Sequence, residues 1–457
     1  MTNKKKISLF VLPFFLLPAL LSSPLFSDED TPSNFFELEN GIKVFLYERH
    51  TLPLFHLVIG FNTGTKDEVA ENSGLLHILE HYTLFRGTKS RSGTEISKNV
   101  RRHGAYFNAH TGIDLVSFEI SLPKEHAEFA LNNQKDILFN PQFDDEEVEK
   151  EKKIILEELN QMEDDPMRYA TSLVYGHLFP GHPYERPVHG TIEGIKTTTA
   201  AKLQDFYSEH FSTSNCALAA VGDFSIEEME SKIRNIYGLI PPKDITVTSY
   251  PKASDLPDNV EIEKTMDVEE GYMAIGIQGP DYNHPDQYAL HLLTEMLGRG
   301  VTPMLNAHLR GRRDLIHTVN MTYSSYQYGG AIIIYLTLEP NKMKAASRET
   351  MRFLKDTRRG RYSKDDFMGE VKIDALDYLE SAKNQIRYKI LQSQENGLVV
   401  ANSLVRYILI NDDTRRGSYL ENIEKISSSD IRKAAGTYLG KGKYVIVSIK
   451  PNKKKNP

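Results

Sequence analysis

Two segments that lie 228 positions apart repeat the same apolar pattern, and this repeat is the strongest constraint on the fold. IKTTTAAKLQDFYSEHFSTSNCALAAVG begins at Ile195, and IEKISSSDIRKAAGTYLGKGKYVIVSIK begins at Ile423. An alignment without gaps pairs Leu203 with Ile431, and both segments have the pattern of a helix, a short loop and a strand. Two amphipathic patterns can coincide by chance, but the same order near the end of each half favours two related domains.

A stretch without apolar periodicity separates the two halves. LIPPKDITVTSYPKASDLPDN, residues 239–259, is rich in proline, serine and aspartate, as linkers often are. We predict an N-terminal domain at 28–240, a linker at 241–260 and a C-terminal domain at 261–457. A long surface loop within one domain is the alternative interpretation.

Strand and helix patterns in the first half predict an α+β fold. β-rich runs flank the turn signal ENG, a strand pattern runs from His56 to Phe61, and AYFNAHTGIDLVSFEISLP indicates a strand pair. Helical patterns follow in GLLHILEHYTLF, with Asn72 or Ser73 as its N-cap, and in FDDEEVEKEKKIILEELNQMEDDP. We therefore expect two related domains, each an antiparallel sheet packed with helices.

The first 27 residues have the three regions of a secretory signal peptide. Lys4, Lys5 and Lys6 precede an apolar stretch, residues 7–21, which is shorter than the roughly 20 residues that span a bilayer. We predict cleavage after Ser27, which would leave a periplasmic or secreted chain without stable membrane insertion. An anchor that stays attached is the alternative.

Charge and cysteine content exclude several classes of partner and site. The net charge is −7, and loss of the three lysines of the leader would leave −10. No nucleic-acid partner is expected, because phosphate binders present a basic face. Cys216 is the only cysteine, which excludes an intrachain disulfide and a zinc site built on thiolates. Its apolar neighbours predict a buried side chain.

The segment HILEH places two histidines and a glutamate within five residues of a predicted helix. His77 and His81 are four residues apart, so they lie on one helix face and can bind a single metal ion. Glu80 can reach the same side and take a proton from a metal-activated water. A motif this short also arises by chance, so it needs a third ligand to support it.

The long acidic helix offers candidates for the third ligand. Glu151 and Glu158 are seven residues apart and share a face, whereas Glu157 points about 100° away. A solvated charged face is the alternative reading of this helix. It explains Glu158 poorly, because IILEEL embeds that residue in an apolar run.

These segments together resemble the inverted-motif zinc peptidases of the pitrilysin and mitochondrial processing peptidase type. HxxEH is the motif of this class. The resemblance covers nearly the whole mature chain, in LENGIKV, GLLHILEHYTLFRGT, GAYFNAHT, EKEKKIILEELNQMEDDP, HPYERPVHGT and NCALAAVGD. It implies two related α+β domains and zinc-dependent cleavage of peptides or small unfolded proteins.

The resemblance also implies roles for individual side chains. His77, His81 and Glu158 match the ligands of one zinc ion per chain. Glu80 matches the general base, and Glu151 matches a carboxylate that supports the site.

A strand residue completes the first half of the implied site. Asn108 matches the asparagine that helps to hold the substrate backbone when an extended peptide joins the sheet edge. We interpret His103 and His110, which flank this strand, as hydrogen-bonded surface residues, with a place in the lining of the cleft as the alternative. His177, His182 and His189 lie in a loop-rich stretch and are interpreted as structural.

The family's arginine and tyrosine that bind the substrate carbonyl are only partly matched. HLRGRRDLIHTV has Arg310 in place, but His317 stands where the tyrosine is expected, and histidine can still donate a hydrogen bond. Family members of this length work as pairs of chains. We expect a second peptidase-like chain with the intact pair, in a heterodimer. A homodimer that uses Arg310 and His317 is one alternative, and a non-catalytic or scaffold subunit is the rival function.

Overall fold

The computed structural model describes residues 33–300, 303–357, 367–368, 371–372, 375–410, 419–440 and 443–452. The predicted signal peptide and its cleavage site lie outside these residues. Of the helices in this part of the chain, none has the length and apolar character needed to cross a bilayer.

A mixed sheet organises the first half. Its strands are β1 (Ser33–Glu37), β2 (Lys43–Glu48), β3 (Leu54–Phe61), β4 (Tyr106–Thr111), β5 (Val116–Pro123) and β6 (Cys216–Gly222). Their order in the sheet is β1-β2-β6-β3-β5-β4. Neighbours run antiparallel, as predicted, apart from the parallel pair β2 and β6. The predicted hairpin at ENG and the predicted pair β4 and β5 are confirmed.

The helices of the first half are α1 (Leu75–Phe85), α2 (Gly93–Arg102), α3 (Ala127–Phe139), α4 (Asp145–Asp164), α5 (Pro166–Leu178), α6 (Ile192–Thr197), α7 (Ala200–His210) and α8 (Ile226–Tyr237). All of them except α5 contribute to the core on one face of this sheet. Leu75, Leu76, Leu79 and Leu84 of α1 are buried in the core, as the helical pattern predicts. The α1 helix therefore has a fixed orientation on the sheet.

The second half has its own sheet and helices. Its strands are β7 (Val260–Met266), β8 (Gly271–Gly279), β9 (Thr318–Ser325), β10 (Gly330–Leu338) and β13 (Val445–Pro451), with a separate pair β11 (Phe367–Met368) and β12 (Val371–Lys372). Its helices are α9 (Asp286–Thr294), α10 (Met304–Asn306), α11 (Met343–Thr357), α12 (Ala375–Gln394), α13 (Gly397–Ile410), α14 (Tyr419–Lys425) and α15 (Ser428–Ala434). Short π-helical segments follow α9, α10 and α15 at Glu295–Arg299, Ala307–Arg312 and Ala435–Leu439.

The two sheets have the same strand order. The second sheet runs β7-β13-β8-β10-β9, which matches β2-β6-β3-β5-β4 of the first. The parallel pair β7 and β13 matches the parallel pair β2 and β6. Leu203 and Ile431, paired in the sequence repeat, are both buried. The architecture is thus α+β with two related domains. Residues 241–259 contain no helix or strand, and the exact domain boundaries stay predictions.

One helix of each half packs against the sheet of the other half. Helix α13 packs on the face of the first sheet that α1 leaves free, and α5 packs on the second sheet. A glycine allows each close approach: a Cβ on Gly60 of β3 would lie 2.5 Å from a methyl of Val405, and a Cβ on Gly276 of β8 would lie 2.3 Å from a methyl of Val174. The exchange ties the two sheets into one unit.

Candidate metal centre and substrate edge

The helix that carries HILEH begins at a buried carboxylate. Glu68 is 2% exposed and accepts hydrogen bonds from the backbone N–H groups of Gly74 (3.1 Å) and Leu76 (2.8 Å). Gly74 precedes the first turn with a φ of 102°, which favours glycine. The predicted cap at Asn72 or Ser73 is therefore wrong, because this left-handed residue separates both from the helix and Glu68 satisfies the free N–H groups instead.

Three side chains of metal-ligand type converge between α1 and α4. The Oε2 atom of Glu158 lies 3.8 Å from Nε2 of His77 and 3.6 Å from Nε2 of His81. One ligand atom from each residue lies within 4.8 Å of the other two. Among the residues that the structure describes, this is the one such group of three. Two imidazole nitrogens and a carboxylate oxygen are a donor set that suits zinc with an open fourth position.

Burial keeps one of these histidines in the form that binds metal. The surrounding protein lowers the pKa of His77 to about 3, and His81 and His189 add to this effect. A neutral imidazole is the ligand form. His189, which we interpreted as merely structural, has its ring centroid 5.4 Å from that of His77, so it lies beside the centre.

The choice between neighbouring glutamates of α4 follows from helix geometry. Glu158 faces α1, and its side chain is 44% exposed, which leaves room for a further group at the centre. Glu157 instead accepts a hydrogen bond of 3.5 Å from Gln161 of its own helix. Glu151 and Glu158, which are seven residues apart on α4, both lie close to His81 of α1.

Glu151 supports His81 from behind. It is 1% exposed, and its Oε2 lies 3.3 Å from Nδ1 of His81, while its other oxygen accepts a hydrogen bond from Nε of Arg86. Burial acts to lower the pKa of His81, but the neighbouring carboxylates, first Glu151 and then Glu158, raise it above the ordinary value. Sequence reasoning missed Arg86, because nothing in HILEH indicates a partner for Glu151.

Glu80 meets the edge strand of the sheet. The Oγ1 hydroxyl of Thr111, at the end of β4, donates a hydrogen bond of 2.5 Å to Oε2 of Glu80. Burial raises the pKa of Glu80, and the bond from Thr111 partly offsets this. The raised pKa makes this carboxylate a better proton acceptor than an exposed glutamate. Sequence reasoning missed Thr111, although it belongs to the segment GAYFNAHT.

Asn108 lies on the same edge strand. In the described sheet β4 pairs with β5 alone, so its other edge offers backbone groups to an added strand. Asn108 sits directly across from Glu119 of β5, and its amide donates a hydrogen bond of 3.2 Å to the hydroxyl of Tyr106. The geometry fits the predicted contact between Asn108 and a substrate backbone.

Arg310 and His317 lie elsewhere. Arg310 is an exposed residue of the π-helical segment after α10, and His317 is exposed just before β9. Among the described residues, no hydrogen bond or ion pair joins either of them to His77, His81 or Glu158. The structure therefore does not bring this predicted pair to the centre through direct contacts in one chain.

The second half has a similar helical turn, but its histidine and glutamate already have partners within this half. Helix α9 and its extension contain HLLTE, with His291 and Glu295 four residues apart. Nζ of Lys389 lies 2.5 Å from Oε1 of Glu295, and the hydroxyl of Tyr419 lies 2.5 Å from Nδ1 of His291. Thr294 stands at the position that Glu80 has in HILEH.

Comparisons with known proteins agree with this geometry. Residues 44–192 match the family profile described as insulinase (peptidase family M16), and residues 197–372 match the profile described as the peptidase M16 inactive domain. A Bacillus subtilis protein named as an uncharacterized zinc protease is 25% identical over 79% of this chain and 84% of its own length. Subunit 1 of the bovine mitochondrial cytochrome b-c1 complex is also 25% identical, over 64% of this chain and 61% of its own length.

Solved structures share the fold. A Helicobacter pylori protease superimposes with a TM-score of 0.84 at 21% identity, over 92% of this chain and all of that one. A Pseudomonas fluorescens structure described as a peptidase M16 inactive domain gives a TM-score of 0.81 at 18% identity, over 93% of this chain and all of that one.

We predict that Glu68 stabilises α1 and its histidines. In Glu68→Gln the side chain keeps one acceptor oxygen, so one of the two buried N–H groups loses its partner, and the free energy of unfolding should fall by about 1–3 kcal/mol. Chemical denaturation measures this change. The matched control is Glu71→Gln, an exposed residue nearby, which should leave stability unchanged. Equal stability of the two variants would contradict the assignment.

Proposed function

Because the chain belongs to peptidase family M16, we propose that it is a zinc-dependent endopeptidase acting on peptides and small unfolded proteins. The observation that carries the proposal is the convergence of His77, His81 and Glu158, with Glu80 on the same helical turn. Relatives named as zinc proteases support it.

In the proposed mechanism, this chain's side chains divide binding and proton transfer between them. Zinc held by His77, His81 and Glu158 would supply a Lewis acid that lowers the pKa of a water molecule to about 7. The Glu80 carboxylate takes the proton of the attacking water and delivers it to the leaving amine. Thr111 fixes the orientation of that carboxylate through its bond to Oε2.

The supporting residues fix the geometry of the ligands. Glu151 contacts Nδ1 of His81, which leaves Nε2 directed towards Glu158. Arg86 bonds the other oxygen of Glu151 and, at 3.2 Å, a carboxylate oxygen of Glu147. Such outer contacts orient a ligand ring and raise its basicity.

The substrate is proposed to bind as an added strand on β4. Its backbone would pair with the free edge of β4 between Tyr106 and Thr111, with Asn108 holding a backbone group. Thr111 ties this strand to Glu80, so a carbonyl near the end of β4 would face the proton-transferring group. A substrate that must bind in an extended form would favour flexible peptides over folded proteins.

Metal content and peptide cleavage test the site. We expect His77→Ala, His81→Ala and Glu158→Gln to lose bound zinc after dialysis, measured by plasma mass spectrometry. Glu80→Gln should keep zinc but lower kcat by about 10²–10⁴-fold, because it removes the proton acceptor. Glu157→Gln is the matched control and should keep both zinc and activity. Cleavage at the wild-type rate by Glu80→Gln would refute its role as the base.

A non-catalytic subunit is the second candidate. The similarity to a cytochrome b-c1 subunit and the match of residues 197–372 to an inactive domain favour it. It predicts no cleavage by the wild-type chain under any pairing. The assembled set of ligand-type residues weighs against it, because a scaffold has no need of such a set.

The active enzyme is proposed to be a heterodimer. Among the described residues, no hydrogen bond or ion pair joins Arg310 or His317 to the three ligand-type residues of the metal centre. His317 also replaces the tyrosine of the family's carbonyl-binding pair. A second peptidase-like chain with the intact arginine and tyrosine would then face this metal centre. A homodimer through Arg310 and His317 is the alternative. We also propose that the chain is exported to the periplasm, with cleavage after Ser27.

Pairing experiments separate the two assemblies. We expect the lone chain to bind zinc but to cleave peptides slowly, and to gain activity when a related chain with the arginine–tyrosine pair is added. Kinetics and sedimentation of the purified chain, alone and mixed, measure this. Full activity of a lone homodimer that Arg310→Ala abolishes would contradict the heterodimer.

A further inference from the structure

The hairpin that carries the substrate edge is fastened to the second half at two places. β4 and β5 form this hairpin, which we call the substrate hairpin (residues 106–123). One fastening is at its tip, through Asp114, and the other is along β5, through Glu119. Both carboxylates are 2% exposed, so each needs hydrogen-bond donors to offset its burial.

Asp114 fastens the tip. One of its carboxylate oxygens accepts a hydrogen bond of 2.7 Å from the hydroxyl of Tyr184, and the other accepts one of 3.0 Å from the backbone N–H of Gln327. The Tyr184 oxygen in turn accepts a bond of 3.0 Å from the N–H of Tyr328. Gln327 and Tyr328 form the turn between β9 and β10 of the second sheet.

Glu119 fastens the strand pair from the side. Its Oε2 accepts a hydrogen bond of 2.5 Å from the amide of Asn402 on α13, and its Oε1 lies 3.0 Å from Nε2 of His110 on β4. Ser117 of β5 donates a bond of 3.3 Å to the amide oxygen of Asn402. Asn402 is thus bonded to two residues of β5, at the position where Glu119 lies across from Asn108.

The hydrogen bonds of the substrate hairpin extend to Glu80 on α1. His110 is followed by Thr111, whose hydroxyl is bonded to Glu80. A shift of β4 relative to α1 would therefore break this bond as well as misplace Asn108. Helix α13 belongs to the second half. The position of β4 relative to α1 therefore depends on the second half of the same chain.

We propose that Asn402, together with the Gln327–Tyr328 turn, positions the substrate hairpin, so that the second half takes part in peptide binding within its own chain. The inference rests on the proposed peptidase function. Asn402 is a positioning residue, since it acts through Glu119 and touches no reacting atom. It differs from Arg310 and His317, which would act on a partner's centre.

Asn402→Leu tests the proposal, because leucine keeps the size of the side chain and removes its hydrogen bonds. The control is Asn132→Leu on α3, an exposed asparagine whose side chain, within the described part of the chain, bonds only Glu128 of its own helix. We expect faster amide hydrogen exchange across residues 106–123 in Asn402→Leu, with zinc content unchanged. We also expect KM for an unfolded peptide to rise about ten-fold, the size expected for a lost bond to a charged group.

A second variant guards against a general loss of stability. Asp114→Asn leaves one acceptor oxygen for two donors, the hydroxyl of Tyr184 and the N–H of Gln327, so one of these bonds is lost and amide exchange of the same hairpin should become faster. Exchange in 106–123 that matches the wild type in both variants, or a KM equal to that of the control, would overturn the proposal. If the wild-type chain binds zinc but cleaves nothing, the peptidase assignment fails. The exchange data would still show whether Asn402 and Asp114 hold the substrate hairpin in place.

Discussion

The reciprocal packing of α13 on the first sheet and α5 on the second is the contact on which the arrangement of the site depends. It requires glycine on both matching strands, at Gly60 and Gly276, because a Cβ would collide with the incoming valine. Interiors packed this closely resist small displacements. The first sheet is thereby held between α1 on one face and α13 on the other, and the metal helix and the substrate edge keep a constant relation.

Buried carboxylates fix the parts of the first half that this packing alone leaves free. Glu68 caps α1, Glu151 supports His81, Asp114 fastens the hairpin tip and Glu119 fastens the hairpin side. An unpaired carboxylate in such surroundings would be costly, so each one selects the conformation in which its donors are in place. A catalytic site needs this kind of support, since its ligands must keep their geometry when substrate arrives.

Local spacing predicted much of this arrangement. His81 follows His77 by four positions, and Glu158 follows Glu151 by seven; these spacings indicate shared helix faces, and the structure brings the four residues together. The repeat at an offset of 228 residues predicted two related domains, and five strands of each sheet do follow the same order. Contacts between distant segments were not predictable. Arg86 and Glu151 are 65 residues apart, and Asn402 and Glu119 are 283 apart, with no pattern that links them. The predicted cap of α1 failed for a local reason, because Glu68 supplies the acceptors from outside the usual cap position.

We propose that His77, His81 and Glu158 hold a zinc ion at an open site. X-ray absorption at the zinc edge of the purified chain tests this most directly. We expect two imidazole nitrogens and oxygen ligands at about 2.0–2.2 Å, no sulfur, and a weaker imidazole signature in the His77→Ala variant. A spectrum without imidazole scattering, or one that the His77→Ala change leaves intact, would contradict it.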